Sequence, residues 1–194
     1  MRTHVRNFVS MVTSVVDLPE PIVEIGSYQV DGQHELADLR PLLPGKQYIG
    51  CDMRAGPGVD RVENVETGLT FSDESIGTII CVETLEHVFD VLAAFRGFRH
   101  VLKLGGVVII TSAMLFPIHD YPGDYWRFTP ECFARLLSGF DHYHVWSEGD
   151  PGCPDTLYGI AVLEPFAGFD VAVDTITQYL NSHSNIGRPI TCGR

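Results

Sequence analysis

Short apolar runs alternate with segments of helical periodicity along most of this chain, and this alternation constrains the fold more than any other feature. Runs that end at Ile25, Asp52, Val82 and Ser112 have the length and composition of strands, and helical spacing of apolar residues recurs between them. Strands that alternate with helices form right-handed crossovers and a mostly parallel sheet covered on both faces. The sequence therefore predicts an α/β, Rossmann-like fold.

The end of the chain departs from this alternation. Two further candidate strands, 142–147 and 157–164, are joined by a loop without a helix, which predicts an antiparallel pair at one edge of a seven-stranded sheet. His142 and His144 alternate on the first of these strands and are predicted to lie on the surface. We expect one domain over residues 1–194, with an amphipathic covering helix in 1–17, a core in 22–163 and a C-terminal helix and tail in 166–194.

Composition limits the partners and the location. The net charge of −12 argues against a nucleic-acid backbone as the main partner, because that surface rewards lysine and arginine. No segment approaches the roughly 18 apolar residues of a membrane span, and the N-terminus lacks the compact apolar core of a signal peptide. The five cysteines include no C-x-x-C pair. The sequence thus predicts a cytoplasmic protein with no membrane partner, no disulfide framework and no metal site, and it leaves the oligomeric state open.

The carboxyl ends of the strands are where ligands bind in such sheets. Glu24 stands two residues before Gly26 in "VEIGSYQVDG", a loop with fewer glycines than most nucleotide-binding loops. Asp52 ends the second strand, where a carboxylate can accept hydrogen bonds from both hydroxyls of a ribose. An acid that only begins a surface turn is the alternative.

Four segments together have a pattern specific enough to compare with known families: "VEIGS", "YIGCD", "VETLEHV" and "RHVLKLGG". Their order resembles the class I S-adenosylmethionine-dependent methyltransferases, in particular a type 11-like branch whose first loop reads E-x-G-S. The resemblance extends from about Ile22 to Phe133 and implies S-adenosyl-L-methionine as the cofactor. It suggests that Gly32 supplies, later in the loop, the flexibility that further glycines usually provide.

The resemblance also implies the residues that hold the cofactor. The acid at the end of strand two would bind the ribose, the glycine of the first loop would let the backbone approach the methionine moiety, and the segment after strand three would contact the adenine. Met53 has an equally simple explanation as a packing residue, and Glu86 with His87 is more simply explained as a helix start. The implied cofactor-binding residues are Glu24, Gly26, Ser27, Tyr28, Asp52, Met53, Asn64, Val65, Val82 and Glu83.

The loop after strand five, "FPIHDYPGDYWRFTP", is dense in aromatic and titratable groups. Similar methyltransferases carry an H-x-x-P-x-D-Y-x-R-x-T version of this loop. His119 is the candidate general base for a hydroxyl acceptor, and Tyr125 is a candidate orienting group. A structural role, with Arg127 paired to Asp124, is the alternative for part of this loop. The predicted substrate-binding residues are Asp120, Trp126 and Arg127.

These observations predict a methyltransferase that acts on a small-molecule hydroxyl or amine. A protein acceptor is compatible with the charge, whereas RNA is disfavoured. A non-catalytic domain with a degenerate cofactor loop is a further alternative, motivated by the missing glycines. A nicotinamide oxidoreductase is disfavoured because G-x-G-x-x-G is absent from the first loop.

Overall fold

A mixed β-sheet forms the centre of the molecule in the computed structural model, which describes residues 1–120, 122–164, 166–183 and 186–190. The strand order is β3-β2-β1-β4-β5-β7-β6-β8. The strands are β1 (Ile22–Ile25), β2 (Tyr48–Asp52), β3 (Arg61–Val62), β4 (Ile76–Val82), β5 (Leu102–Ala113), β6 (His142–Asp150), β7 (Cys153–Val162) and β8 (Ile186–Ile190).

The pairing of the strands confirms the predicted mostly parallel sheet with an antiparallel edge. Strands β3, β2, β1, β4 and β5 run parallel to one another. Strand β7 pairs antiparallel with both β5 and β6. These seven strands are the predicted ones, and β8 adds a short antiparallel neighbour to β6 within the predicted tail. Residues 184, 185 and 191–194 of that tail lie outside the described residues.

Helices cover both faces of this sheet. On one face, α3 and α4 bury Phe98 and Phe133 against β4 residues such as Ile79. On the other face, α1 and α5 bury Phe8 and Ile176. The N-terminal segment is therefore the covering helix that its periodicity predicts. The helices are α1 (Thr3–Val15), α2 (His34–Ala37), α3 (Val91–Val101), α4 (Pro130–Leu137) and α5 (Phe169–His183).

The sequence "KLGG" does not end a helix, as its glycines suggest, but lies inside β5. The strand begins at Leu102, directly after α3, and pairs this residue with Ile76. Its register with β4 then shifts before Val107. Gly105 has a φ of +75°, a left-handed conformation that glycine adopts without steric cost. The glycines therefore form an irregularity within the strand.

The prediction of a surface position is wrong for His144. His142 is exposed, but His144 is buried at 8% exposure. Its ring lies 4.4 Å from that of Trp146, whose indole donates to Thr177 of α5 at 2.8 Å. Because α5 lies over this face of β6, the alternation places His144 in the core. Burial lowers the pKa of His144 to about 4.

Candidate active site

A cavity of about 590 Å³ opens at the carboxyl ends of β1, β2 and β4. The chain order reverses between β1 and β4, which is where ligands bind in open α/β sheets. The ten residues implied by the resemblance as cofactor ligands all line this cavity. They are Glu24, Gly26, Ser27, Tyr28, Asp52, Met53, Asn64, Val65, Val82 and Glu83.

The first loop folds tightly with a single glycine at its start. The backbone N–H groups of Gly26 and Ser27 both donate to the Cys51 carbonyl, at 2.8 and 3.0 Å. Gly26 has a φ of +87°, and a Cβ at this position would overlap the Oγ1 of Thr84. Only glycine therefore allows the ends of β1 and β4 to approach at this point. Gly32, further along the loop, also has a positive φ, of +78°.

Tyr28 packs at the side of the cavity. Its ring lies against Gly56, where a Cβ would collide with the ring. The guanidinium of Arg54 lies over the Tyr28 ring, 4.5 Å from its centroid. Cation–π contact of this kind stabilises the pair. Tyr28 thus forms a wall of the cavity, and Arg54 is a wall residue that the sequence did not reveal.

Glu24 is a buried acid on β1. It is 3% exposed, and the Tyr48 hydroxyl donates a hydrogen bond to its Oε2. Burial raises the pKa of Glu24 to about 7, against the opposing effect of the Tyr48 hydrogen bond. The Arg40 guanidinium lies over the Tyr48 ring, 4.9 Å from its centroid. This carboxyl is therefore held in place at the floor of the site, at a cost in solvation.

Asp52 and Asn64 begin turns and also face the cavity. The Oδ1 of Asp52 accepts the Arg54 backbone N–H at 3.0 Å. The Oδ1 of Asn64 accepts the Glu66 backbone N–H at 2.9 Å. Each side chain retains a second polar atom that its turn does not use: a carboxylate oxygen of Asp52 and the amide nitrogen of Asn64. The turn-forming and ligand-binding explanations of Asp52 are therefore compatible.

The start of the chain contributes to the cavity wall, which the sequence did not indicate. Arg2 donates to both carboxylate oxygens of Glu83, at 2.8 and 2.9 Å, and its guanidinium lies 5.1 Å from the centroid of the Phe116 ring. Glu83 has a φ of +51°, an uncommon conformation for a residue with a side chain. The ion pair holds the residue after β4 beside the loop after β5.

Glu86 and His87 lie in the 3₁₀ turn Leu85–His87 and both line the cavity. Glu86 is 1% exposed and its Oε2 accepts the Ser112 hydroxyl at 2.7 Å. Burial and the neighbouring Glu83 charge raise the pKa of Glu86 to about 7. Burial lowers the pKa of His87. Glu86 and His87 do not begin the next helix, which starts at Val91 and is capped by the Asp90 side chain, but form a separate turn at the site.

The loop after β5 brings one of its predicted residues to the cavity. His119 lines the wall, whereas Asp120, Tyr125, Trp126 and Arg127 do not. The Arg127 guanidinium donates to both oxygens of Asp124, at 2.5 and 2.7 Å, and it also binds two backbone carbonyls. This supports the structural explanation of Arg127.

The two aromatic residues of this loop bind the 3₁₀ turn. The backbone N–H groups of Tyr125 and Trp126 both donate to the Glu86 carbonyl. The Trp126 indole donates to the Val88 carbonyl at 2.9 Å. The predicted roles of Tyr125, Trp126 and Asp120 toward a substrate remain predictions.

Comparisons with known proteins agree with this architecture. Residues 32–110 match a family model described as a methyltransferase domain. The match covers less than half of the chain and begins at Gly32, the last residue of the first loop. The comparison with curated proteins finds no match. The family match and the fold confirm the resemblance to class I S-adenosylmethionine-dependent methyltransferases.

Solved structures share the fold at low sequence identity. A methyltransferase from Thermotoga maritima, described as a possible histamine N-methyltransferase, is 19% identical with a TM-score of 0.55, over 81% of this chain and 91% of that one. One from Mesorhizobium loti is 18% identical with a TM-score of 0.55, over 80% and 95%. Phosphoethanolamine N-methyltransferase 2 from Haemonchus contortus, in complex with S-adenosyl-L-methionine, is 13% identical with a TM-score of 0.59, over 82% and 52%. Identities this low establish the fold alone.

Proposed function

We propose that this protein is an enzyme that transfers a methyl group from S-adenosylmethionine to a small-molecule hydroxyl or amine. The chain has the class I methyltransferase fold and matches the methyltransferase domain model. The observation that carries the proposal is the convergence of ten residues, from the ends of four strands, on one cavity. Its volume of about 590 Å³ is within the range of cofactor and ligand pockets. The acidic charge argues against a nucleic-acid acceptor.

The residues present fit this cofactor. The carboxylate of Asp52 has an oxygen that can accept hydrogen bonds from ribose hydroxyls. Val65 and Met53 can provide apolar surface for the adenine, and Gly26 lines the part of the cavity where the methionine moiety would lie. When bound, S-adenosylmethionine would supply a methyl group on a sulfonium sulfur. A lone pair of the acceptor forms the new bond to the methyl carbon, and the electrons of the broken carbon–sulfur bond remain on sulfur.

His119 is the group that can take a proton from a hydroxyl acceptor. Its Nδ1 lies 3.2 Å from Asp124, and Asp124 is 4% exposed and paired with Arg127. A carboxylate in this position favours the tautomer with hydrogen on Nδ1, which leaves the lone pair on Nε2. The pair Asp124–His119 thus has the arrangement of an oriented general base.

The location is a smaller part of this proposal. None of the helices in the described part of the chain has the length and apolar character to cross a membrane. We propose a cytoplasmic location on the composition given above.

Calorimetric titration with S-adenosylmethionine and S-adenosylhomocysteine tests the cofactor. We expect micromolar binding of both, weakened roughly 10- to 100-fold by Asp52→Asn, because the variant loses charged hydrogen bonds. Asp73→Asn is the matched control, since this acid is 72% exposed and stands before β4, at the opposite edge of the sheet. A folded protein that binds neither ligand would support a non-catalytic domain instead.

An acceptor screen tests the reaction. S-adenosylhomocysteine release is measured with panels of small hydroxylated compounds, small amines and unfolded peptides. We expect turnover with a member of one of the first two panels, and His119→Ala should lower kcat for a hydroxyl acceptor. Turnover confined to peptides would contradict the small-molecule assignment.

A further inference from the structure

We infer that Glu86, His87 and His119 form a binding site for a divalent transition-metal ion at the acceptor end of the cavity. One carboxylate oxygen and one ring nitrogen of each imidazole lie within 4.8 Å of one another. All three residues line the cavity. Two imidazoles and one carboxylate can hold such an ion and leave coordination positions open. This set cannot be recognised from the sequence alone, because His87 and His119 come from separate loops.

The hydrogen bonds of the imidazoles prepare both rings as ligands. The Nδ1 of His87 lies 2.5 Å from the Gly123 carbonyl. The Nδ1 of His119 lies 3.2 Å from both the Asp124 carboxylate and the Pro117 carbonyl. These oxygens only accept, so we assign the hydrogen of each ring to Nδ1 and the lone pair to Nε2. Metal-binding histidines have this arrangement, with the other ring N–H donated to a carbonyl or carboxylate oxygen.

The carboxylate is held in a similar way. Glu86 is 1% exposed, and the Ser112 hydroxyl donates to its Oε2 at 2.7 Å. A carboxylate this deeply buried is costly as a bare charge unless a cation compensates it. The nearby Arg2 guanidinium already binds Glu83 through both oxygens. A metal ion beside Glu86 would therefore add to the compensation that Arg2, which hydrogen-bonds to Glu83, gives from a distance.

Small movements would complete the coordination. Ligands bound at about 2.1 Å to one ion lie about 3.4 Å apart in a tetrahedral arrangement, so the three groups, now within 4.8 Å of one another, would approach by up to about 1.4 Å. Imidazole favours Zn²⁺ and carboxylate favours Mn²⁺ among the common ions. The expected role, which rests on the proposed function, is to hold the acceptor oxygen and lower the pKa of its hydroxyl, so that the proton passes to solvent water before the oxygen attacks the methyl carbon. The metal-bound enzyme would then use His119 as a ligand instead of a base.

Metal titration of the chelator-treated full chain tests the site. Co²⁺ is followed by its visible d–d absorption and Mn²⁺ by calorimetry. We expect one equivalent to bind, and His87→Ala and His119→Ala should each weaken binding by at least about tenfold. His100→Ala is the control, because this imidazole is 65% exposed and pairs with Asp73 away from the cavity. Glu86→Gln tests whether the carboxylate contributes to metal binding. If Glu86→Gln does not fold, the two histidine variants still decide the test.

Two results would overturn the inference. One is the absence of stoichiometric binding of either ion to a folded protein. The other is binding that His87→Ala and His119→Ala leave unchanged. Titration of S-adenosylhomocysteine into the same samples separates this test from that of the cofactor. Metal binding without cofactor binding would refute only the proposed function, and the reverse would refute only the metal site.

Discussion

Replacing Glu24 by glutamine should stabilise the protein at neutral and alkaline pH and should lower its affinity for the cofactor. Glutamine has nearly the same shape, and its side-chain oxygen can still accept the hydrogen bond that the Tyr48 hydroxyl gives to Glu24. The variant therefore removes the buried charge and leaves the packing and the main hydrogen bond in place.

The magnitude follows from the pKa of this carboxyl. Burial raises the pKa of Glu24 from 4.5 to about 7 in the folded protein. Between these pH values the folded state holds a proton that the unfolded state has lost, so stability falls as the pH rises. Each pH unit in this window contributes about 1.4 kcal/mol, which gives a total of about 3 kcal/mol above pH 7. Glutamine does not titrate and lacks this loss.

Urea unfolding from pH 5 to pH 9 measures the effect. The free energy of unfolding of Glu24→Gln, minus that of the wild type, should rise with pH and level off above about pH 7 at about 3 kcal/mol. The exposed acid Asp73, changed to asparagine, serves as the control and should show no such rise. A difference that is constant to within about 0.5 kcal/mol over this range would refute the reasoning. Calorimetry on the same variant should show weaker binding of S-adenosylhomocysteine, since Glu24 lines the cavity.

Three further substitutions test the geometry of the site and the core. Gly26→Ala should abolish cofactor binding, measured by calorimetry, because its Cβ would overlap a threonine at the end of β4. The control is Gly68→Ala, which should bind the cofactor normally; Gly68 also has a positive φ, of +104°, but has open space around it. Arg127→Gln should lower the free energy of unfolding in urea by about 2 kcal/mol, since the Asp124 carboxylate loses its guanidinium partner and keeps its contacts with His119. Arg96→Gln, 70% exposed, should change it by less than about 0.5 kcal/mol. Burial lowers the pKa of His144 from 6.5 to about 4, so the wild type should lose about 2 kcal/mol between pH 7 and pH 5 relative to His144→Gln, measured by urea unfolding.

The sheet and the cofactor end of the site follow from the sequence for a local reason. Parallel strands bring their carboxyl ends to one edge, so residues immediately after an apolar run are placed together by the topology alone. Asp52 was identified in this way, the resemblance implied Asn64 and Glu83, and the structure brings all three to the cavity. The resemblance supplied the identity of the ligand that this edge would hold.

The acceptor end depends on contacts that a linear pattern does not contain. The composition of the loop after β5 indicates function, but not which of its side chains face inward. Arg127 is directed to Asp124 and to backbone carbonyls, so its charge serves the loop itself. His144 is a similar case: its alternation with Trp146 was visible, but the position of α5 over that face was not.

The loops after β4 and β5 act as one structural unit, and this explains which residues reach the cavity. The Tyr125 and Trp126 amides bind the Glu86 carbonyl, and His87 binds the Gly123 carbonyl in return. The residues that look most functional in the second loop therefore fasten it to the first. As a consequence, His119 is positioned by both loops, although it belongs to only one. The chemistry available to an acceptor is then a property of the joined loops, since the His119 ring lies 4.7 Å from the His87 ring across them and Glu86 lies within reach of both.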